Sequence, residues 1–278
     1  MIYREFGNTA FKCSVIGMGT YYDMRWIFKT YFGIYSNKGQ KIDAIRTGIE
    51  NGINLIDTAE LYRSEKLIGS AIKGEKREDL FLSTKVFPTN LYPRALERSL
   101  NRSLKNLGTD YIDLYQIHFP NPAVDLKKTM GKLEELIDRG KIRYIGLSNF
   151  SLGLVQKTMA ILKKYSISSV QVDYNIFHRK PSTGMIDYCK KNNIAVMAYF
   201  PLGHGRAARP QYNKYFDNIR KRIGDVPNAN IALSYLISRN SNVFPIPRAS
   251  TREHVLQNIK YSDTLLTEDE MKYMEEKL

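Results

Sequence analysis

Cysteine is nearly absent: Cys13 and Cys189 are the only two in 278 residues. Two are too few for a disulfide framework and their spacing fits no metal site, so both read as reduced packing residues. No apolar run approaches the roughly 18 to 20 residues that span a bilayer, and the opening MIYREFGNTAFKCS lacks the apolar stretch of a secretory signal. No membrane partner is expected, and a cytoplasmic location is. Histidine is scarce at four; His178 and His204 have no partner at ligand spacing and are expected at the surface or in loops, with no metal implied. Linkers, low-complexity segments and sequence repeats are missing, which excludes a string of modules.

Acidic residues are in deficit, 28 against 42 basic ones, for a net charge of +14 and a pI near 9.6. That balance favours anionic partners, whether nucleic acid, acidic membrane or phosphorylated small molecules, and does not choose among them. The cations are spread singly, Arg220 to Arg222 being the densest run, so a solvated basic surface is the plainer reading and no nucleic-acid partner is expected.

What is present suits one folded domain over residues 1–278: 43% hydrophobic and 25% charged residues, on a chain long enough for a large core. Short apolar runs recur in the order SVIGMGT, NLIDTA, LFLSTKV, IDLYQIH, IRYIGLSN, SVQVDY, IAVMAYF and NVFPIP. Between them lie segments of helical period, such as Ile42, Ile45, Ile49 and Leu96, Leu100, Leu104, Leu107, the last followed by Gly108 as a C-cap. Runs apolar throughout belong to strands covered on both faces, so a parallel sheet is expected. Eight such units predict a (β/α)8 TIM barrel, with a β-hairpin around Gly7-Asn8 before it, covering the N-terminal end. Two connections, Thr20 to Gln40 and Gly203 to about Asn228, are too long for plain turns, and both lie on the C-terminal rim where such barrels keep their chemistry.

Converging on that rim are Asp57, Lys85, His118, Ser148, Asn149, Gln171, Tyr199 and Arg248, at the ends of successive runs. In INLIDTAELY the phenol of Tyr62 follows Asp57 by five residues. Phenol has a reference pKa of about 10 and is a poor proton donor near neutrality. An ammonium about 4 Å away would interact with phenolate by roughly 4 kcal/mol at an effective dielectric near 20, at most about three pK units downward. Lys85 is thus expected to sharpen Tyr62 as an acid, Asp57 to balance the lysine, and His118 to hold a substrate oxygen against the phenol. The four together describe protonation of a carbonyl oxygen. Its other half needs a hydride that no side chain supplies, so a nicotinamide is implied. Yet IGMGTYYD has Gly17 and Gly19 without a third glycine in register, and no Rossmann fingerprint occurs.

The segments GMGTY, INLIDTAELY, FLSTKV, LYQIH, GKIRYIGLSNF, VQVDYN, AYFPLGHG and IPRAST with a later QN stand in the order and spacing of the aldo-keto reductases, which the chain resembles from about residue 2 to 278. GKIRYIGLSNF together with INLIDTAELY is the specific part. The resemblance implies a (β/α)8 barrel that binds NAD(P)H extended across the rim, with a catalytic tetrad on Asp57, Tyr62, Lys85 and His118. It implies that Ser148, Asn149 and Gln171 hold the carboxamide, that Tyr199 stacks on the nicotinamide, and that Gly19 and Thr20 lie near ring and ribose. Leu202 and Gly203 would line the pyrophosphate, and Arg248, Ser250, Thr251, Arg252, Gln257 and Asn258 the adenosine end. Tyr21, Phe87 and Phe119 would wall an apolar substrate pocket for an aldehyde or ketone.

Three departures stand out. Phe200 replaces the serine that many members have before Pro-Leu, Arg63 the glycine that commonly follows the tyrosine, and His254 an arginine that often grips the 2'-phosphate. NADPH is the expected cofactor, with Arg248 and Arg252 left to recognise it and NADH left open. The chain stops after LLTEDEMKYMEEKL, so a long C-terminal pocket loop is expected to be missing and the site permissive. Trp26 in the first long loop reads equally as a substrate contact or a loop anchor. Other readings are a Schiff-base lyase on Lys85, which Asp57 disfavours, and a cofactor-holding regulatory or nucleic-acid-binding module, for which RAARPQYNKYFDNIRKR mixes basic and aromatic side chains. Physiological substrate, reaction direction and oligomeric state stay open.

Overall fold

A computed structural model describes residues 1–182 and 184–278. Strands β1 (Tyr3–Glu5) and β2 (Lys12–Ser14) form an antiparallel hairpin, followed by β3 (Met18–Gly19), helices α1 (Met24–Tyr31) and α2 (Lys38–Glu50), β4 (Leu55–Asp57) and α3 (Glu65–Ala71). Then come β5 (Phe81–Val86), α4 (Pro93–Leu107), β6 (Ile112–Ile117), α5 (Leu126–Asp138), β7 (Ile142–Ser148), α6 (Leu152–Ile161), β8 (Ile167–Asp173) and α7 (Met185–Lys191). The chain ends with β9 (Ala195–Tyr199), α8 (Asn213–Ile223), α9 (Asn228–Arg239), β10 (Val243–Pro245), α10 (Arg252–Ile259) and α11 (Glu268–Lys277).

Strands β3 to β10 lie side by side in chain order, each parallel to the next. The ring closes where the Gly17 and Gly19 amides donate to the Pro245 and Pro247 carbonyls at 3.0 and 3.1 Å. Two prolines without N–H groups on that side explain why β3 and β10 are so short, although their apolar runs are as long as the others. Gly19 is required there: a Cβ on it would stand 2.7 Å from the Ile246 carbonyl oxygen.

Helices cover the outside with their apolar stripes, as in α4, whose Leu96, Leu100, Leu104 and Leu107 are buried and which Gly108 ends at φ 66°. The interior is plugged at the N-terminal end by Phe6, Phe81 and Phe244, with Phe6 ring centroids 4.6 and 5.0 Å from the other two. The hairpin delivers Phe6, so it stoppers the barrel as the sequence predicts. Both long connections carry helix, α1 in the first and α8 in the second.

Candidate active site

Asp57 ends β4, two per cent exposed, and Lys85 lies in β5, fully buried. Their ion pair is 2.6 Å long, and the ammonium also donates to the Thr58 carbonyl at 2.7 Å. The second carboxylate oxygen accepts from Ser83 Oγ at 2.8 Å, Gln171 Nε2 at 3.1 Å and Gln116 Nε2 at 3.3 Å. The carboxylate is the counter-ion of the lysine and opposes burial, which drives the Lys85 pKa down. Ser83 and Gln116 escaped the sequence reading, though a signal existed. They precede Lys85 and His118 by two residues, and the period of a strand sends such pairs to one face.

Tyr62 closes a one-turn 3-10 helix (Glu60–Tyr62). That turn is pinned from two sides. Glu60 accepts from the Phe87 amide at 2.7 Å and Asn90 Nδ2 at 2.9 Å, and the Trp26 indole N–H donates to the Tyr62 carbonyl at 3.1 Å. Trp26 is therefore an anchor. Arg63 follows at φ 60°, a left-handed backbone where glycine would be free of Cβ strain.

The Tyr62 hydroxyl sits 3.3 Å from His118 Nε2, and Lys85 Nζ lies 5.1 Å from the phenol ring centroid. The expected downward push on the phenol is not found. Burial, then Asp57, raise its pKa well above the ordinary value, with Tyr199 and Tyr21 adding to the rise. The same lysine, after burial, pushes the His118 pKa down to about 3. The imidazole is neutral near pH 7. Its Nδ1 is buried without a partner among the described residues; an orphaned acceptor costs less than an orphaned donor, so we assign the proton to Nε2.

A cavity of about 300 Å³ opens over these groups, lined by Gly19, Thr20, Tyr21, Asp57, Tyr62, His118, Phe119, Ser148, Asn149, Gln171, Tyr199 and Arg248, together with Met24, Leu61 and Phe200. Asn149, at φ 62°, donates to the His118 carbonyl at 2.9 Å and Ser148 Oγ at 3.1 Å and accepts from the Tyr199 hydroxyl at 2.7 Å. Its amide thus braces the wall. Thr20 is also engaged, through the Asp57 carbonyl and Ser64 Oγ, both at 2.9 Å.

A second cavity of about 360 Å³ continues the first, sharing Tyr21, Phe200, Pro201 and Arg248 and adding Leu202 and His204. His204 is exposed and packs on Phe200 with ring centroids 3.9 Å apart, tilted by 35°, while His178 is exposed beside Asp173. Arg248 donates to the Tyr22 carbonyl. Gly203 backs the loop against Phe177, which a Cβ would approach to 2.8 Å. Ser250, Thr251, Arg252 and Gln257 lie beyond both cavities at α10, where Thr251 Oγ caps the helix by accepting from the His254 amide at 3.2 Å. Asn258 sits by a small void under Pro247 and Ala249.

Phe87 is displaced from the expected pocket. It lines a neighbouring groove with Lys38, Arg63 and Lys66, while Met24, Leu61 and Phe200 take apolar places on the cavity over Tyr62. The basic and aromatic stretch after Gly205 is engaged internally: Arg206 lies 4.2 Å over the Phe177 ring, Arg220 pairs with Asp217, and Arg222 with Glu270.

Residues 16–278 match the model of the aldo/keto reductase family. Aldo-keto reductase YhdN of Bacillus subtilis (strain 168) is 37% identical over 217 residues, 74% of this chain and 63%, less than two thirds, of that protein. Methylglyoxal reductase YeaE of Escherichia coli (strain K12) is 32% identical over 240 residues, 85% of this chain and 84% of the relative. The thermostable aldo-keto reductase Tm1743, solved with the inhibitor epalrestat, superposes with a TM-score of 0.89 at 36% identity over 99% of both chains. An aldo-keto reductase from Klebsiella pneumoniae in complex with NADPH gives 0.86 at 29% identity, covering 99% of this chain and 95% of the other. By sequence and by fold, the chain belongs to the aldo/keto reductase family.

Proposed function

We propose that the protein reduces small apolar or aromatic aldehydes and ketones with NADPH, in the cytoplasm, Tyr62 giving the proton to the carbonyl oxygen. The observation that carries this is the phenol 3.3 Å from a neutral imidazole, at the floor of an apolar cavity and beside a buried lysine–aspartate pair. His118 Nε2–H directs its proton at oxygen, whether of phenol or of substrate, and frees the Tyr62 O–H to point at the carbonyl. As that proton leaves, phenolate forms in a water-poor site against the Lys85 ammonium, where opposite charge counts most. A high resting pKa is compatible with this role, since the donor stays protonated at every working pH. Lys85 serves as a fixed cation: Asp57 and Thr58 accept two of its N–H bonds, and as an ammonium it has no lone pair for Schiff-base attack.

Two cavities joined along Tyr21, Phe200, Pro201 and Arg248 fit an elongated dinucleotide better than a compact ligand. Ser148, Gln171 through its amide oxygen, and Tyr199 would hold the nicotinamide end; Leu202 and Gly203 the pyrophosphate; Arg248, Arg252 and the α10 N-terminus the adenosine phosphate, favouring NADPH over NADH. When bound, the nicotinamide supplies the hydride to the carbonyl carbon. The test is a carbonyl panel including methylglyoxal and aromatic aldehydes, run with both reduced cofactors. Substrate-dependent NADPH oxidation, with a lower KM than for NADH, is the expected result; binding of NADPH with no oxidation across the panel would overturn the reading.

A further inference from the structure

Among the described residues, five of the nine exposed large hydrophobic ones crowd onto and just after α1: Met24, Phe28, Tyr31, Phe32 and Ile34, each more than half exposed. The other face of that helix already has its partners, with Trp26, Ile27 and Thr30 buried and Trp26 tied to the Tyr62 carbonyl. Phe28 and Phe32 stand edge to face with ring centroids 5.1 Å apart, forming one ridge. A surface helix that is pinned on one side and apolar on the other leaves a contiguous patch of the kind that marks an interaction site.

The charges around the ridge identify what fits it. No acidic residue occurs between Met24 and Ile42. Arg25, Lys29, Lys38 and Lys66 are exposed, and Arg63 lies 4.7 Å over the Tyr31 ring. None of these five cations is in an ion pair among the described residues, whereas Lys132, Arg139, Arg222 and Arg239 elsewhere on the surface are. A second copy meeting ridge to ridge would set Arg25, Lys29 and Lys38 against their own counterparts. Duplex nucleic acid would use the cations and leave the phenyl rings in water, and the aliphatic Met24 and Ile34 of the ridge offer a single strand no face for base stacking. An anionic bilayer answers both, taking aromatic rings at the acyl boundary and cations at the headgroups.

We propose that the outer face of α1, with Phe32 and Ile34, docks the protein on anionic phospholipid surfaces. No helix of the described residues is long and apolar enough to cross a membrane, and none is needed, since the helix lies in the interface. Met24 belongs both to this ridge and to the catalytic cavity, so docking turns the cavity mouth to the lipid. Resting on the reductase reading, the substrates then include carbonyl compounds dissolved in the bilayer, such as long-chain aldehydes.

The test is flotation of the full chain with vesicles of phosphatidylcholine containing phosphatidylglycerol, against phosphatidylcholine alone. We expect binding to the anionic vesicles, weakened at least tenfold at about 0.5 M salt. The double variant Phe28→Asp with Phe32→Asp should weaken it about a hundredfold, while Lys29→Glu with Lys38→Glu should remove the preference for anionic lipid. Unchanged thermal unfolding and unchanged turnover of a water-soluble aldehyde would show both variants folded. No flotation, equal binding to neutral vesicles, or full binding by the Phe variant would each overturn the proposal. So would a ridge-dependent dimer that does not float. Flotation needs no turnover, so failure of docking and failure of the reductase reading are told apart.

Discussion

His118 and Asp57 show how one buried lysine shapes its neighbours. Burial first and Lys85 second hold the imidazole at about 3 instead of 6.5. Below pH 6.5 the unfolded chain therefore takes up a proton that the native one refuses, and stability falls as pH drops from about 6.5 towards about 3. At about 1.4 kcal/mol per unit, the ceiling is about 5 kcal/mol. Replacing His118 with Asn should flatten the dependence of urea-unfolding free energy on pH across that window; an unchanged slope would contradict the assignment. Asp57→Asn leaves the Lys85 ammonium buried without its counter-ion, and should cost about 3 to 5 kcal/mol of stability and most of the turnover. Urea unfolding together with a full pH–rate profile checks both.

At the level of strands and helices, the apolar runs and the residues that end them were legible because β-strand position dictates which side chains meet at the rim. The four groups Asp57, Tyr62, Lys85 and His118 come together where their strand positions place them. The interior shell did not stand out. Ser83 and Gln116 sit inside runs read as uniformly apolar, and their role depends on closing the ring, a tertiary event. Helix α1 was hidden for another reason: its exposed Met24, Phe28 and Tyr31 give no clean polar face, so the segment reads as loop. Phe87 lines the basic groove and not the cavity over Tyr62, its amide donating to Glu60 in the turn that carries Tyr62. Closure itself is testable. Gly19→Ala drives a Cβ against the Ile246 carbonyl and should destabilise by about 2 kcal/mol or more, read as a lowered Tm; a neutral effect would mean the seam is looser than described.

Over the whole molecule, composition indicated anionic partners and could go no further, since a net charge carries no position. The folded chain pairs some cations internally, as at Arg220 and Arg222, and sets five without an ion pair among the described residues around the apolar ridge at the cavity mouth. The same fold joins two cavities end to end across the rim. In the first of them lies the phenol whose proton transfer is the centre of the account. The direct measurement is a single turnover with NADPH pre-bound to wild type and to Tyr62→Phe, cofactor binding being verified by its fluorescence. The account predicts equal NADPH affinity and a loss of reduced-cofactor absorbance at least about a hundredfold slower in the variant; aldehyde reduction by Tyr62→Phe at the wild-type rate would contradict it.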